Sequence, residues 1–214
     1  MYYRMFKDFP VKIVEQGKAN FGTFKDVPAK IDIRGMKAPY AGLPLPSFIS
    51  KLRIKSRLEF AFSLEKFIGL AIFYDFKILG LGEIILWDKE TGKKNAYHTI
   101  MAPRRRFVPL TTNRGICACY RKSRFIKISW GRNHLHHAMT FKVHGDSARP
   151  TIEGYIYSQK EDDIHSDFMF INPSPTSSRC SATWFAAMNA KGHITIDGDE
   201  ADDSEGLCCM SLNR

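Results

Sequence analysis

The sequence predicts an all-β protein, an antiparallel barrel or curved sandwich. Three observations carry this. KLRIKSRLEFAFSL alternates apolar and charged residues with period two, which marks a long strand with one buried and one wet face. Short apolar runs follow one another down the chain, separated by Gly, Asn, Asp and Pro turn chemistry. No stretch supports a helix of more than two turns. The 214 residues, 44% hydrophobic and 25% charged, exclude a disordered chain. A chain of this size buries roughly 70% of its unfolded surface, enough for a core without staples.

Residues 1–50 read as an irregular wrapping arm, with Pro10, Pro28, Pro39, Pro44 and Pro46 alternating with glycines. One or two short strands are expected in it. Residues 51–214 read as the antiparallel β domain. A strand over 51–64 places Leu52, Ile54, Leu58, Phe60, Phe62 and Leu64 on one side, and Ser56 alone breaks that side. The next, Phe67–Leu79, groups Ile68, Leu70, Ile72, Tyr74, Phe76 and Ile78. Gly80 and Gly82 mark a turn or bend before a strand at Glu83–Trp87, and Asp88–Gly92 is a hairpin loop. Further strands are predicted at Tyr97–Met101, Ile116–Tyr120, Phe125–Trp130, His134–Val143, Thr151–Ser158, Ile164–Ile171, Ser181–Met188 and His193–Asp197. Gly206–Asn213 reads as a last strand with an open apolar edge.

Charge is uneven. Residues 1–150 hold 28 Lys and Arg against 11 Asp and Glu, and residues 151–214 hold 4 against 11. This basic protein therefore presents a face suited to an anionic membrane surface. Nucleic acid is disfavoured, because the aromatics fall on the parity opposite the stripe Lys51, Arg53, Lys55 and Arg57, and strand binding needs the two interleaved. The five cysteines and the lack of an apolar leader segment predict reduced, buried thiols and a cytoplasmic location. Phe67–Trp87 contains Asp75, Lys77 and Glu83, which excludes it as a membrane span.

YDFKILGLGEIILWDKETGKK and FVPLTTNRGICACYRKSRFIKISWG resemble the family known as domain of unknown function 2804. KLRIKSRLEFAFSL and NPSPTSSRCSATWFAAMNAKG fit the same resemblance, which covers roughly residues 40–214. It implies a lipocalin-like barrel, distantly similar to the carotenoid hydratase and tocopherol cyclase double barrels. Members are usually longer, so this chain is expected to be an incomplete part of a longer double-barrel protein. The resemblance supplies no catalytic residues.

The function expected on this basis is binding of a small apolar or amphipathic, lipid-like molecule in a β cavity. Tyr74, Phe76, Trp87 and Trp130 are the expected wall, with His134 or His136 as polar anchors. Phe60, Phe62, Phe73 and Trp184 are further core candidates. In HLHH, His134, His136 and the later His144 share one strand face, and His137 goes to the other with Leu135, Met139, Phe141 and Val143. The alternative is isomerase, hydratase or cyclase chemistry with a histidine as acid–base. No cofactor is predicted. No metal site is predicted either: Cys117-x-Cys119 lacks a second pair, and DGDEADDSE at 197–205 lacks EF-hand spacing. No G-x-S-x-G, Walker A or G-x-G-x-x-G motif occurs.

Overall fold

A computed structural model of the chain describes residues 5–37, 46–103, 107–132, 136–158, 165–200 and 204–214. The arm contributes β1 (Phe6–Lys7), β2 (Val14–Glu15), β3 (Lys18–Ala19), β4 (Gly22–Phe24) and the helix α1 (Ser47–Leu52). The long strands are β5 (Ser56–Leu64), β6 (Phe67–Asp75), β7 (Gly80–Asp88), β8 (Lys94–Met101), β9 (Arg114–Arg121), β10 (Arg124–Gly131), β11 (His136–Val143) and β12 (Ile152–Ser158). They are followed by β13 (His165–Pro173), β14 (Cys180–Ile196), the short β15 (Asp199–Glu200) and β16 (Ser204–Asn213). The main path runs β8-β7-β6-β5-β16-β14-β12-β11-β10-β9, and all of its pairs are antiparallel.

Three differences from the expected elements have physical causes. The strand expected from residue 51 starts at Ser56, because Ser47–Leu52 turns as helix; alternation continues through it by chance of composition. The two strands expected in 181–197 are one, β14. Gly192 does not break it but faces inward, where a side chain would collide with Leu64 and Ile156. The last strand is no edge: β16 pairs with β14 on one side and β5 on the other.

Beta14 is long enough to serve two neighbours. Its residues Ala190–Ile196 pair with β12, and Cys180–Met188 pair with β13, which continues to β4 and β1. The sheet therefore forks along β14.

The outer edge of β8 is met by side chains from the end of β9, the start of β10 and the β11–β12 loop. Ala96, His98 and Ile100 alternate along β8. In an antiparallel pair, alternate residues direct their backbone groups away from the partner. All three carbonyls accept from arginine: Ala96 from Arg149 at 2.7 Å, His98 from Arg124, and Ile100 from Arg121 at 3.1 Å. An exposed strand edge is a template for unwanted pairing, and these guanidinium groups cover its acceptors. The result is a barrel-like sheet whose seam is closed by three cations rather than by a ladder.

One core fills the inside. Leu58, Phe60, Phe62, Leu64, Phe73, Ile84, Leu86, Tyr97, Ile126, Ile128, Phe141 and Met210 belong to it. Ile31 and Val108 join it from the arm and from the β8–β9 connection, which hydrogen-bond each other through Ile31 N–H to Leu110 O at 2.9 Å. Rings occupy the space opposite inward glycines: a Cβ on Gly69 would lie 2.1 Å from the Phe62 ring, and one on Gly154 would lie 2.5 Å from that of Phe141. At these two positions the protein's own rings fill the inner side of the sheet. A surface recess lined by Lys93, Asp146, Arg149, Thr151 and Asp197 is polar.

Cys117, Cys119, Cys180 and Cys208 are buried and Cys209 is half-buried, all as free thiols. Burial disfavours the thiolate, pushing Cys180 up to about 11 and Cys208 up to about 12. Ellman's reagent at mildly alkaline pH should therefore find at most Cys209 in the native protein, and all five thiols after denaturation. Fast reaction of two or more native thiols would contradict the described packing.

Candidate functional site

Beta6 settles where the expected wall residues lie. Phe67, Gly69, Ala71, Phe73 and Asp75 are its inward, buried parity; on the other parity only Ile72 is buried, and Tyr74 and Phe76 look outward. The two rings stack at 5.5 Å and 10°. Arg57 lies over Tyr74 and Lys55 over Phe76, each 5.3 Å from the centroid. Trp87 is also on the outer side, under Lys94 at 5.2 Å. These three do not line the interior. The more apolar parity of β6 faces out because the inward one must leave room for large rings from neighbouring strands. His136 is exposed on the outer face of β11, away from the core, and His134 lies outside the described residues. Of the expected set, Trp130 alone is placed inside, 3% exposed.

Around Trp130 the structure assembles a different group. Trp130 stands near the end of β10 and pairs across the ladder with His137 on β11. His137 is fully buried. Trp184, fully buried on β14, has its ring 6.4 Å from that of Trp130 and 6.0 Å from the imidazole. Trp184 Nε1 donates to Asp167 Oδ1 on β13. The other Asp167 oxygen accepts from Arg132 Nε. Arg132 follows β10 directly and also donates to Val27 O at 3.4 Å. His137 N–H donates to Ser158 Oγ at 2.9 Å. Two indoles, an imidazole and an ion pair thus meet beside the fork, held by β10, β11, β12, β13, β14 and the arm.

The chemistry on offer is specific. The Asp167 carboxylate is anchored on both sides, one oxygen accepting from an indole N–H and the other from a guanidinium. Trp130 Nε1, by contrast, is buried with no hydrogen-bond partner among the described residues. A buried donor left unmade costs about 1–3 kcal/mol, which an incoming acceptor would recover. The indole faces favour a flat or apolar body, and His137 adds a group able to give or take a proton. Among the described residues, no three His, Cys, Asp or Glu side chains come together to hold a metal ion. Sequence reasoning reached Trp130, and it put His137 on the inner parity without counting it in the site. Asp167 and Arg132 carried no signal, because their pairing depends on the fork.

Fold and site together define the class as an antiparallel β barrel with a polar and aromatic nest at its fork. No protein-family model matches the chain, and no curated protein does, so the likeness to the 2804 family remains a resemblance. Among solved structures, kievitone hydratase from Nectria haematococca is similar over 73% of this chain and 88% of its own. The identity is 9% and the TM-score 0.27, too low to bear on the site or on activity. Among the described residues, no helix is long and apolar enough to cross a membrane.

Proposed function

We infer that the protein is a β-barrel binding protein for a small amphipathic molecule, and that the ligand is met at the Trp130–His137–Trp184 nest rather than in the barrel's middle. The observation that carries this is the unsatisfied Trp130 Nε1 beside a second indole and a buried imidazole. A ligand with a flat apolar body and one strong acceptor, such as a phenolate, carboxylate or carbonyl, matches it. The apolar part replaces packing against the indoles; the acceptor takes the free N–H.

Anilinonaphthalene sulfonate, flat and anionic, is a suitable probe. It should quench tryptophan emission saturably, with one binding stoichiometry. Trp130→Phe keeps most of the ring but removes the N–H. Loss of one hydrogen bond to a charged acceptor is worth about 1.5 kcal/mol or more, so the dye should bind this variant at least about tenfold more weakly. Equal affinity of native protein and Trp130→Phe, with both folded by near-ultraviolet circular dichroism, would refute the nest as the site.

A further inference from the structure

Between Glu90 and Asp146 the chain contains no Asp or Glu and twelve Lys or Arg. Its described residues build β8, β9, β10 and β11, while Arg104, Arg105 and Arg106 lie outside the described residues. Beta9, β10 and β11 are successive neighbours, and β8 meets the β9–β10 turn through Arg121 and Arg124. One side of the barrel wall is thus made of strands without a carboxylate of their own. The acids that border it are already engaged: Glu83 with His98, Glu153 with Lys142, Asp146 with Arg149 and Asp167 with Arg132. Lys142 and Arg132 are thereby paired, and among the described residues no acid forms an ion pair with Arg114, Lys122 or Lys127.

The same wall carries large apolar side chains facing out. Ile100 on β8 is 69% exposed, and Ile116 and Tyr120 on β9 are each 61% exposed. Single exposed apolar residues need no explanation; Ile116 and Tyr120 on one outer face of β9, with Ile100 beside Arg121 at that strand's end, do. The exposed Arg121 and Lys122 turn and the half-buried Lys127 of β10 adjoin them.

We propose that the outer side of β8–β11 docks on an anionic lipid bilayer. Ile100, Ile116 and Tyr120 enter the headgroup boundary, and Arg114, Lys122 and Lys127 meet the lipid phosphates. Charge complementarity requires an anionic partner, and the aliphatic residues choose between its sources. Isoleucine has no face on which a base can stack, and the ring of Tyr120 is already packed against Phe125 at 5.1 Å. A single-stranded nucleic acid would need such faces, whereas a bilayer boundary takes branched aliphatics directly. This surface is separate from the nest, and the proposal does not rest on the nest binding anything.

The test is co-sedimentation of the full chain with two kinds of vesicle, phosphatidylcholine alone and phosphatidylcholine mixed with phosphatidylserine, at physiological salt. Binding is expected to the phosphatidylserine vesicles only, and to weaken as salt rises. Each cation near such a surface contributes about fivefold, and reversing its sign costs more than removing it. Lys122→Glu with Lys127→Glu should therefore lower partitioning by at least tenfold. Ile100→Ser with Ile116→Ser should lower it on the order of tenfold through lost apolar burial. A labelled single-stranded oligonucleotide is titrated in parallel. Oligonucleotide binding without vesicle binding would overturn the proposal in favour of nucleic acid. So would vesicle binding that ignores phosphatidylserine or the isoleucine changes, and so would binding to neither probe.

Discussion

Trp184→Ala should lower the stability of the barrel by about 3–5 kcal/mol, the range for truncating a large buried aromatic. Trp184 is among the largest fully buried side chains, and it sits where three parts of the chain converge. Its ring packs against Trp130 and His137, and its Nε1 serves Asp167. Removing the ring opens a cavity between β10, β11 and β14 that their ladders hold apart, so relaxation recovers little. Trp184→Phe separates the two contributions. It keeps apolar volume and removes the N–H, while Asp167 retains Arg132 as partner, so the cost should be nearer 1–2 kcal/mol. Urea unfolding of both variants is the measurement. A loss below about 1 kcal/mol for Trp184→Ala would mean that the fork is not packed around this indole. The comparison bears on the nest as well: a stable Trp184→Phe protein that loses the dye would place the ligand's apolar body on the indole.

How far the sequence discloses this arrangement differs from strand to strand, for a physical reason. In β5 one parity is charged and the other apolar, so the inward face was readable: Leu58, Phe60, Phe62 and Leu64 are buried. In β6 both parities are apolar, and the choice depends on volume. Phe62, Phe73 and Phe107 need space, which Gly69, Gly80 and Gly82 provide on the inner side. Space is shared across strands, so one strand's letters cannot show which side has it. The same limit put Tyr74 and Phe76 in the expected wall and left Asp167 and Arg132 out of the site. His137 was legible by parity, because Met139, Phe141 and Val143 accompany it inward. What could not be read at all is the position of β16, the last strand in sequence and among the most central in the sheet.

That central position makes Gly206 a sensitive point, and Gly206→Ala should cost about 2–3 kcal/mol, toward the upper end for overpacking, because the collision is with backbone. Gly206 faces Leu64 on β5 and Ala190 on β14. A Cβ there would lie 2.0 Å from the Ser63 carbonyl oxygen and 2.9 and 3.0 Å from Ser63 C and Leu64 Cα. These are backbone atoms, so no rotamer change relieves the collision; the β16–β5 ladder itself must shift. The barrel has two joints between the β5–β8 meander and the strands from β9 to β14. One is β16, and the other is the seam held by Arg121, Arg124 and Arg149. Arginine side chains on three carbonyls constrain the strands less than a ladder does, so strain at β16 has no stiff counterpart across the barrel. Gly131→Ala is the control, since the nearest atom to its Cβ would be His136 Cβ at 4.0 Å; it should change stability by no more than about 0.5 kcal/mol. In hydrogen exchange, Gly206→Ala should speed exchange first in the β5 and β16 amides near Leu64 and Leu207, before those of β10 and β11. If Gly206→Ala unfolds at the same urea concentration as Gly131→Ala, the two strands do not approach as closely as described. The insertion of β16 would then not be the joint that holds the halves together.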